Sequence, residues 1–306
     1  MPIFRLLSFS ALASALLLSS CVEHAPTTVV NQHDNAATPQ QSEESTPTPK
    51  ANDHEVVVLL SSSDPLKLGK VLSKMRETEN LPPSAIPRLV ELLGDDRHGM
   101  EFLVLVPVPA PTVAELAGNV LEQYGASAVP FIEPLLNSDD VDELLLVLRV
   151  VRGIGHDANR LEKALANLAK SCDAEVVKCA AISAMVSVST DSLKSSKQML
   201  HWLDHESPTV RGIATYEIGN LGVSNEDVVQ KVVTLLDDEE MRPFSYAPDA
   251  RGYRAVKWDA VCALGKIANG NDEIRNMLVI MEQESTRKFE KTIIQKAIET
   301  MAENAR

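Results

Sequence analysis

The sequence predicts an all-α fold, a solenoid of paired helices, on three observations. From about Asp64 onward, apolar residues recur at three- and four-residue spacing in segments of about 10 to 15 residues, the period of an amphipathic helix. Clusters of Asp, Asn, Gly, Ser and Pro separate the segments, and no alternation of strand type competes with them. Only 4% of the residues are aromatic, while Leu, Ala and Val dominate the 44% that are apolar, a mixture suited to helices packed through small and aliphatic side chains.

The first stretch, residues 1–20, reads as a secretory leader. It carries one positive charge at Arg5, an apolar run from Leu6 to Leu18, and small residues before Cys21. The run is too short to span a bilayer and polar sequence follows it. Leu18-Ser19-Ser20-Cys21 resembles the lipobox of bacterial lipoproteins, which implies cleavage before Cys21 and lipidation of its sulfur. Several acyl chains would supply stable anchoring at about 0.8 kcal/mol per buried methylene. Val22 after the Cys leans, by the same resemblance, toward the outer membrane. The expectation is an exported protein, lipid-anchored to the cell membrane or outer membrane and facing the periplasm.

Residues 21–54 follow as the lipidated Cys and a linker rich in Thr, Pro, Gln, Asn and Ser. Such a segment buries too little surface to offset its ordering entropy. Its reach as a random coil is roughly 30 Å. The formal charge of the whole chain is -14; without Arg5 the balance is 28 Lys+Arg against 43 Asp+Glu, or -15. With no run of clustered Lys/Arg, nucleic acid and direct adsorption to anionic lipid are both disfavoured as partners.

Residues 55–306 form the solenoid domain. Its clearest unit opens at Ser207, an N-cap followed by Pro208 at the first helical position. Val210, Arg211, Ala214, Ile218 and Gly219 follow at helical spacing, and a second helix over Val228 to Leu236 ends at Asp237 and Asp238. Thirty-four residues before Ser207 stands Asp173, with Val176 beneath Val210 and Ala180 beneath Ala214, and the same step again reaches Asp139. A constant period of this length marks an α-solenoid, whose units bury their apolar faces only against neighbours.

Pro208-Thr-Val210-Arg211-Gly-Ile-Ala214-Thr-Tyr-Glu-Ile218-Gly219 resembles the first helix of the bacterial HEAT-repeat family, as does Ala260-Val-Cys262-Ala263-Leu264-Gly265 in its later half. Second helices such as Ala128-Val129-Pro130-Phe131 and Ala85-Ile86-Pro87-Arg88 are similar to the family too. The resemblance spans about residues 64 to 303 and implies six HEAT-like helix pairs and a capping helix from about Thr286. The unit from Asp139 departs from the pattern, with Leu145 to Leu148 where Ala is usual.

Two insertions interrupt the period, each between a second helix and the next first helix, and such insertions collect on one edge of a solenoid. The first, Asp95 to Pro111, holds a possible short hairpin over Glu101 to Val108. The second, Glu239 to Arg254, is the candidate partner-binding segment. It gathers Arg242, Phe244, Tyr246, Arg251, Tyr253 and Arg254, with Trp258 just beyond, and aromatics with Arg are the types enriched among interface anchors. The competing reading folds the loop back so that its rings fill a gap in the core.

Little in the sequence points to catalysis. His201 and His205 would share a face if helical, but no third ligand stands at a zinc spacing. Gly-rich phosphate loops, nucleophile elbows and paired Cys-x-x-Cys motifs are missing. No catalytic residue, metal or cofactor is expected. A Cys172–Cys179 bridge would need a break in the helix, since seven helical residues span about 10 Å. The expected function is a non-catalytic, membrane-tethered scaffold or adaptor for a protein or peptide of the cell envelope. The alternatives are a HEAT-like lyase, as the family resemblance admits, or a structural or assembly subunit of an envelope complex.

Overall fold

The computed structural model of the chain describes residues 52–78, 81–100, 110–243 and 252–305. The leader, Cys21 and most of the linker fall outside these residues, as do the possible hairpin over Glu101 to Val108 and, in the second insertion, Phe244, Tyr246 and Arg251.

Helix α1 (Asn52–Leu60) precedes six pairs. The first helices are α2 (Pro65–Arg76), α4 (Val113–Gln123), α6 (Val141–Ile154), α8 (Glu175–Val188), α10 (Pro208–Leu221) and α12 (Lys257–Ile267). Their partners are α3 (Ile86–Glu91), α5 (Val129–Ile132), α7 (Glu162–Ser171), α9 (Ser192–Met199), α11 (Glu226–Val233) and α13 (Asp272–Glu284), and α14 (Lys288–Asn304) closes the series. Each first helix packs on the next along the whole ladder from α2 to α14. One buried apolar cluster runs from Leu60 to Met301, so the core is shared by all units and belongs to none alone. The fold is an all-α solenoid of HEAT-like pairs.

Small residues set the spacing of the ladder. A side chain at Gly219 would sit 3.0 Å from the Ala263 backbone, and one at Gly265 would sit 2.8 Å from that of Ala297. Those contacts place α10 against α12 and α12 against α14 with no room for a methyl group. The middle helices α8 and α10 are buried on almost every side, because neighbours flank them in sequence and their own partners cover a third face. Four of the second helices, α3, α5, α9 and α11, end in a 3-10 turn, and each turn contributes a buried Leu: Leu93, Leu136, Leu203 and Leu236.

Side-chain caps fix where most helices begin. Asp64, Asp140, Asp191, Ser207, Asn225 and Asn271 each accept a backbone N–H of the first turn, and Thr112 forms a reciprocal capping box with Glu115. The cap of α6 is Asp140, one residue later than the strict period places it. Asp173 does not cap α8; Ala174 occupies the N-cap position without a side-chain bond. Helix α11 begins two residues before Val228, and its predicted end at Leu236 is the 3-10 turn Thr234–Asp237. Gly222, at φ 64°, ends α10 in the left-handed conformation. Replacing Ser207 by Ala removes the acceptor for the Thr209 and Val210 N–H groups and is expected to cost about 1 kcal/mol in denaturant unfolding.

Candidate functional site

The second insertion is a hairpin built on short strands. Strand β1 (Met241–Pro243) pairs antiparallel with β2 (Tyr253–Ala255), with Met241 opposite Ala255, Arg242 opposite Arg254 and Pro243 opposite Tyr253. Below the strands, Val256 N–H donates to the Glu240 carbonyl and Lys257 N–H to that of Asp238, so the base of the hairpin merges into the start of α12.

Side chains alternate across a strand, and that period sorts the predicted contact residues into two sets. Arg242 and Arg254 point inward. Arg242 is 1% exposed and donates from Nε and Nη2 to the two oxygens of Asp259, each at 2.6 Å, while its Nη1 reaches the Pro243 carbonyl at 2.7 Å. Arg254 Nη2 donates to Oδ1 of the same carboxylate. Asp259 lies in the first turn of α12 with its side chain wholly buried, where the helix dipole also favours an anion. Arg242 is therefore no surface anchor, contrary to its sequence assignment; it is the internal pin of the hairpin, and Arg254 is mostly enclosed beside it. The pin lies flat on α10, since a Cβ at Gly212 would overlap Arg242 Nε and Cδ.

The outward set is Met241, 55% exposed, and Tyr253, 64% exposed, with Pro243 between them. Trp258, at 7% exposure, belongs to the core and carries Lys257 over its ring at 4.8 Å. Arg211 holds the foot of the hairpin: its Nε donates to Asp238 at 2.7 Å, its Nη2 to Glu240 at 3.0 Å, and its Nη1 to the carbonyls of His205 and Glu206. Sequence reasoning missed Asp259, Asp238, Gly212 and Met241. Asp259 had a signal: counted back from Gly265, it occupies the register that Ile213 holds relative to Gly219, an acid at an apolar position.

The base of the first insertion is fastened differently. Gly99 N–H donates to Pro111, Val113 N–H to Arg97 and Ala114 N–H to Asp95, while His98 pairs with Thr112 in an isolated bridge. Arg97 grips Asp95 through two nitrogens and donates to the Ser63 carbonyl. That guanidinium holds the Asp95 carboxyl below the ordinary carboxylate range.

His201 and His205 do not make a metal face. Residues Leu200–Asp204 form a 3-10 helix and His205 is extended at its end, so the helical i, i+4 geometry is lost. Both rings lie against Trp202. His205 Nδ1 accepts the Ser207 N–H at 3.1 Å, and Nε2 lies 3.4 Å from Lys178 Nζ. Burial first, then Lys178, push the His205 pKa below its ordinary 6.5; burial is also the main cause for His201. The fold therefore favours the neutral form of both rings, and the contribution they make to stability is full above the unfolded value of 6.5 and is lost as the pH falls below it and the unfolded chain takes up protons. Thermal unfolding between pH 7.5 and 5 is expected to show this loss, and His205→Asn, which keeps an acceptor for Ser207 but does not titrate, is expected to lessen it.

Cys172 and Cys179 are unbridged thiols, and burial pushes the Cys179 thiol up to about 12, where it is unreactive. Among the described residues no group of three or more His, Cys, Asp or Glu is arranged to hold a metal, and no helix is long and apolar enough to cross a membrane. A hollow of about 510 Å³ between the last two pairs is lined by Ser224, Glu226, Asn269 and Asp272, which are turn and helix-start residues.

No protein-family model matches the chain, and no curated protein matches it either. Among solved structures, the complex of CpcE and CpcF of phycocyanin lyase from Nostoc sp. is similar over 87% of this chain and 100% of that chain, at 13% identity and a TM-score of 0.42. An engineered protein is similar over 83% and 79%, at 17% identity and 0.39. A designed armadillo repeat protein in complex with the peptide (KR)4 is similar over 81% and 98%, at 18% identity and 0.32.

Proposed function

We propose that the chain is a lipid-tethered envelope protein that binds a protein or peptide through the hairpin edge of its solenoid and carries out no catalysis itself. The observation that supports it most is the inward lock of Arg242 and Arg254 on Asp259, which ties strands β1 and β2 to α12 while Met241 and Tyr253 face solvent. Holding a loop in place before binding lowers the ordering cost of association, so exposed side chains on a pinned hairpin make better anchors than the same residues on a free loop. Phe244, Tyr246 and Arg251, outside the described residues, lie between the two strands in sequence and belong to the proposed contact segment. The lipid on Cys21 fixes the location, and the linker supplies reach.

The test uses the lipidated chain in its own envelope. A photo-crosslinking residue at position 253 is expected to capture a defined partner that Phe244→Ala, Tyr246→Ala and Tyr253→Ala together fail to retain in a pull-down. Undiminished retention by the triple variant defeats the hairpin surface. Mass spectrometry of the mature chain decides the anchor: an N-terminal Cys21 without acyl mass defeats it.

A further inference from the structure

The whole-chain charge of -14, which disfavours adsorption of the chain as a whole to anionic lipid, is unevenly spread. Helix α2 carries Lys67, Lys70, Lys74 and Arg76 and no acidic residue. At 3.6 residues per turn the three lysines fall within a sector of roughly 60°. The opposite side of the helix is covered: Gly69 is buried against Gly99 of the first insertion, Leu72 is buried in the core, and the Arg76 carbonyl accepts from Gln123 at the end of α4, which packs on α2. The lysines therefore lie on the side of α2 away from α4, at the N-terminal end of the described ladder, and all three are exposed. Lys67 lies 4.0 Å from Asp64 at its side, a weak pairing between two exposed groups.

The same end is apolar beside its charges. Helix α1 packs on α3 and on the turn before it, in the place a preceding second helix would take, and buries Leu60. Its other face leaves Val58 at 56% and Leu59 at 46% exposure, and Leu66 at the start of α2 is 36% exposed. Terminal units of a solenoid normally carry a polar outer face. The far end is mixed, for α14 exposes Gln295, Lys296, Glu299 and Glu303 but also Phe289 at 55%, so what sets the N-terminal end apart is the lysine stripe beside its aliphatic residues rather than their exposure alone.

We infer that this N-terminal end is a membrane-docking face that lies on an anionic bilayer, with the lysines over phospholipid headgroups and Val58, Leu59 and Leu66 entering the interface. Two features favour a bilayer over another occupant. Exposed aliphatic residues next to a short lysine stripe match an interface that offers acyl chains under negative headgroups. The chain outside the structure also ends at this face, since the linker from Cys21 enters directly at α1. The docking rests on the anchored reading for its location, and its chemistry stands apart from it. It also orients the rod: with α1 and α2 on the membrane, the hairpin before α12 is held away from the bilayer.

The full chain carrying Leu59→Trp, mixed with phosphatidylcholine vesicles containing brominated lipid, with and without phosphatidylglycerol, tests the proposal. Native Trp202 and Trp258 are buried and give a constant background. Emission from position 59 is expected to be quenched only when phosphatidylglycerol is present. Adding Lys67→Gln, Lys70→Gln and Lys74→Gln is expected to lower the docking equilibrium about 100-fold, the sum of three lost lysine–headgroup attractions, with circular dichroism unchanged. Absent quenching, or quenching indifferent to phosphatidylglycerol and to the three lysines, overturns the docking face; binding of an acidic polypeptide to the lysines without such quenching reassigns it to protein and overturns it too. The acyl mass of the same preparation separates the two claims. An acylated chain without quenching refutes docking and keeps the anchor, and an unacylated chain with lipid-dependent quenching does the reverse.

Discussion

Asp259→Ala is expected to destabilise the protein by about 3–5 kcal/mol, the range for breaking a buried ion pair from one side. The carboxylate is fully buried and neutralises Arg242, which is itself 1% exposed, so its loss strands a guanidinium in the core. Arg254 can swing outward because its side chain keeps 19% exposure; Arg242, pressed on Gly212, has no such path. Solenoid stability is a sum of local units and interfaces, so the loss should appear as early unfolding of the last two pairs, with the first pairs melting later. Urea titration followed at Trp258 and at Trp202 reads this difference, because the two rings sit on opposite sides of α10 in the stack. The paired substitution Arg242→Met with Asp259→Leu is expected to restore most of the stability, since replacing a buried pair by apolar side chains of similar volume is often neutral. A single variant that loses less than about 1 kcal/mol would show that the pair is not sealed from water.

The same pair marks where sequence and structure part. The six helix pairs were legible because apolar residues recur at helical spacing in every segment, a step near 34 residues links the starts of the units from Asp140 to Ser207, and each unit must bury its face on the next. The edges of the pairs were less so: the cap at Asp140 stands one residue off the strict step, and Ala174 caps by position without a side-chain bond. The capping box of Thr112 and Glu115 was readable as Thr-x-x-Glu before an apolar run, and it went unread beside the Pro-rich insertion. In the second insertion, aromatic and Arg content singled out the segment that carries the strand pair and blurred its two faces. Three-residue strands are too short to display alternation as a pattern, so only the register of Arg242 opposite Arg254 shows which side chains turn in. The basic end at α2 was invisible for a related reason: Lys67, Lys70 and Lys74 are spread in sequence and adjacent only once wound on a helix.

The second large effect is expected at Gly69. Gly69 lies inside α2, where replacement by Ala would ordinarily gain up to about 1 kcal/mol from helix propensity. Here an added Cβ overlaps the carbonyl oxygen, carbonyl carbon and Cα of Gly99, all backbone atoms of the first insertion, so no side-chain rotation relieves it. Forcing packed backbones apart costs about 1–3 kcal/mol or more, which exceeds the propensity gain and makes Gly69→Ala destabilising by about 2 kcal/mol. Gly99 is also bonded to Pro111 and neighbours the His98–Thr112 bridge, so the displacement should loosen the base of the insertion before it disturbs the helix. Limited proteolysis within residues 95–111 is expected to accelerate markedly in the variant, while cleavage in the other loops stays unchanged. A Gly69→Ala protein with unaltered proteolysis and a raised melting temperature would mean that the insertion does not rest on α2 through these two glycines.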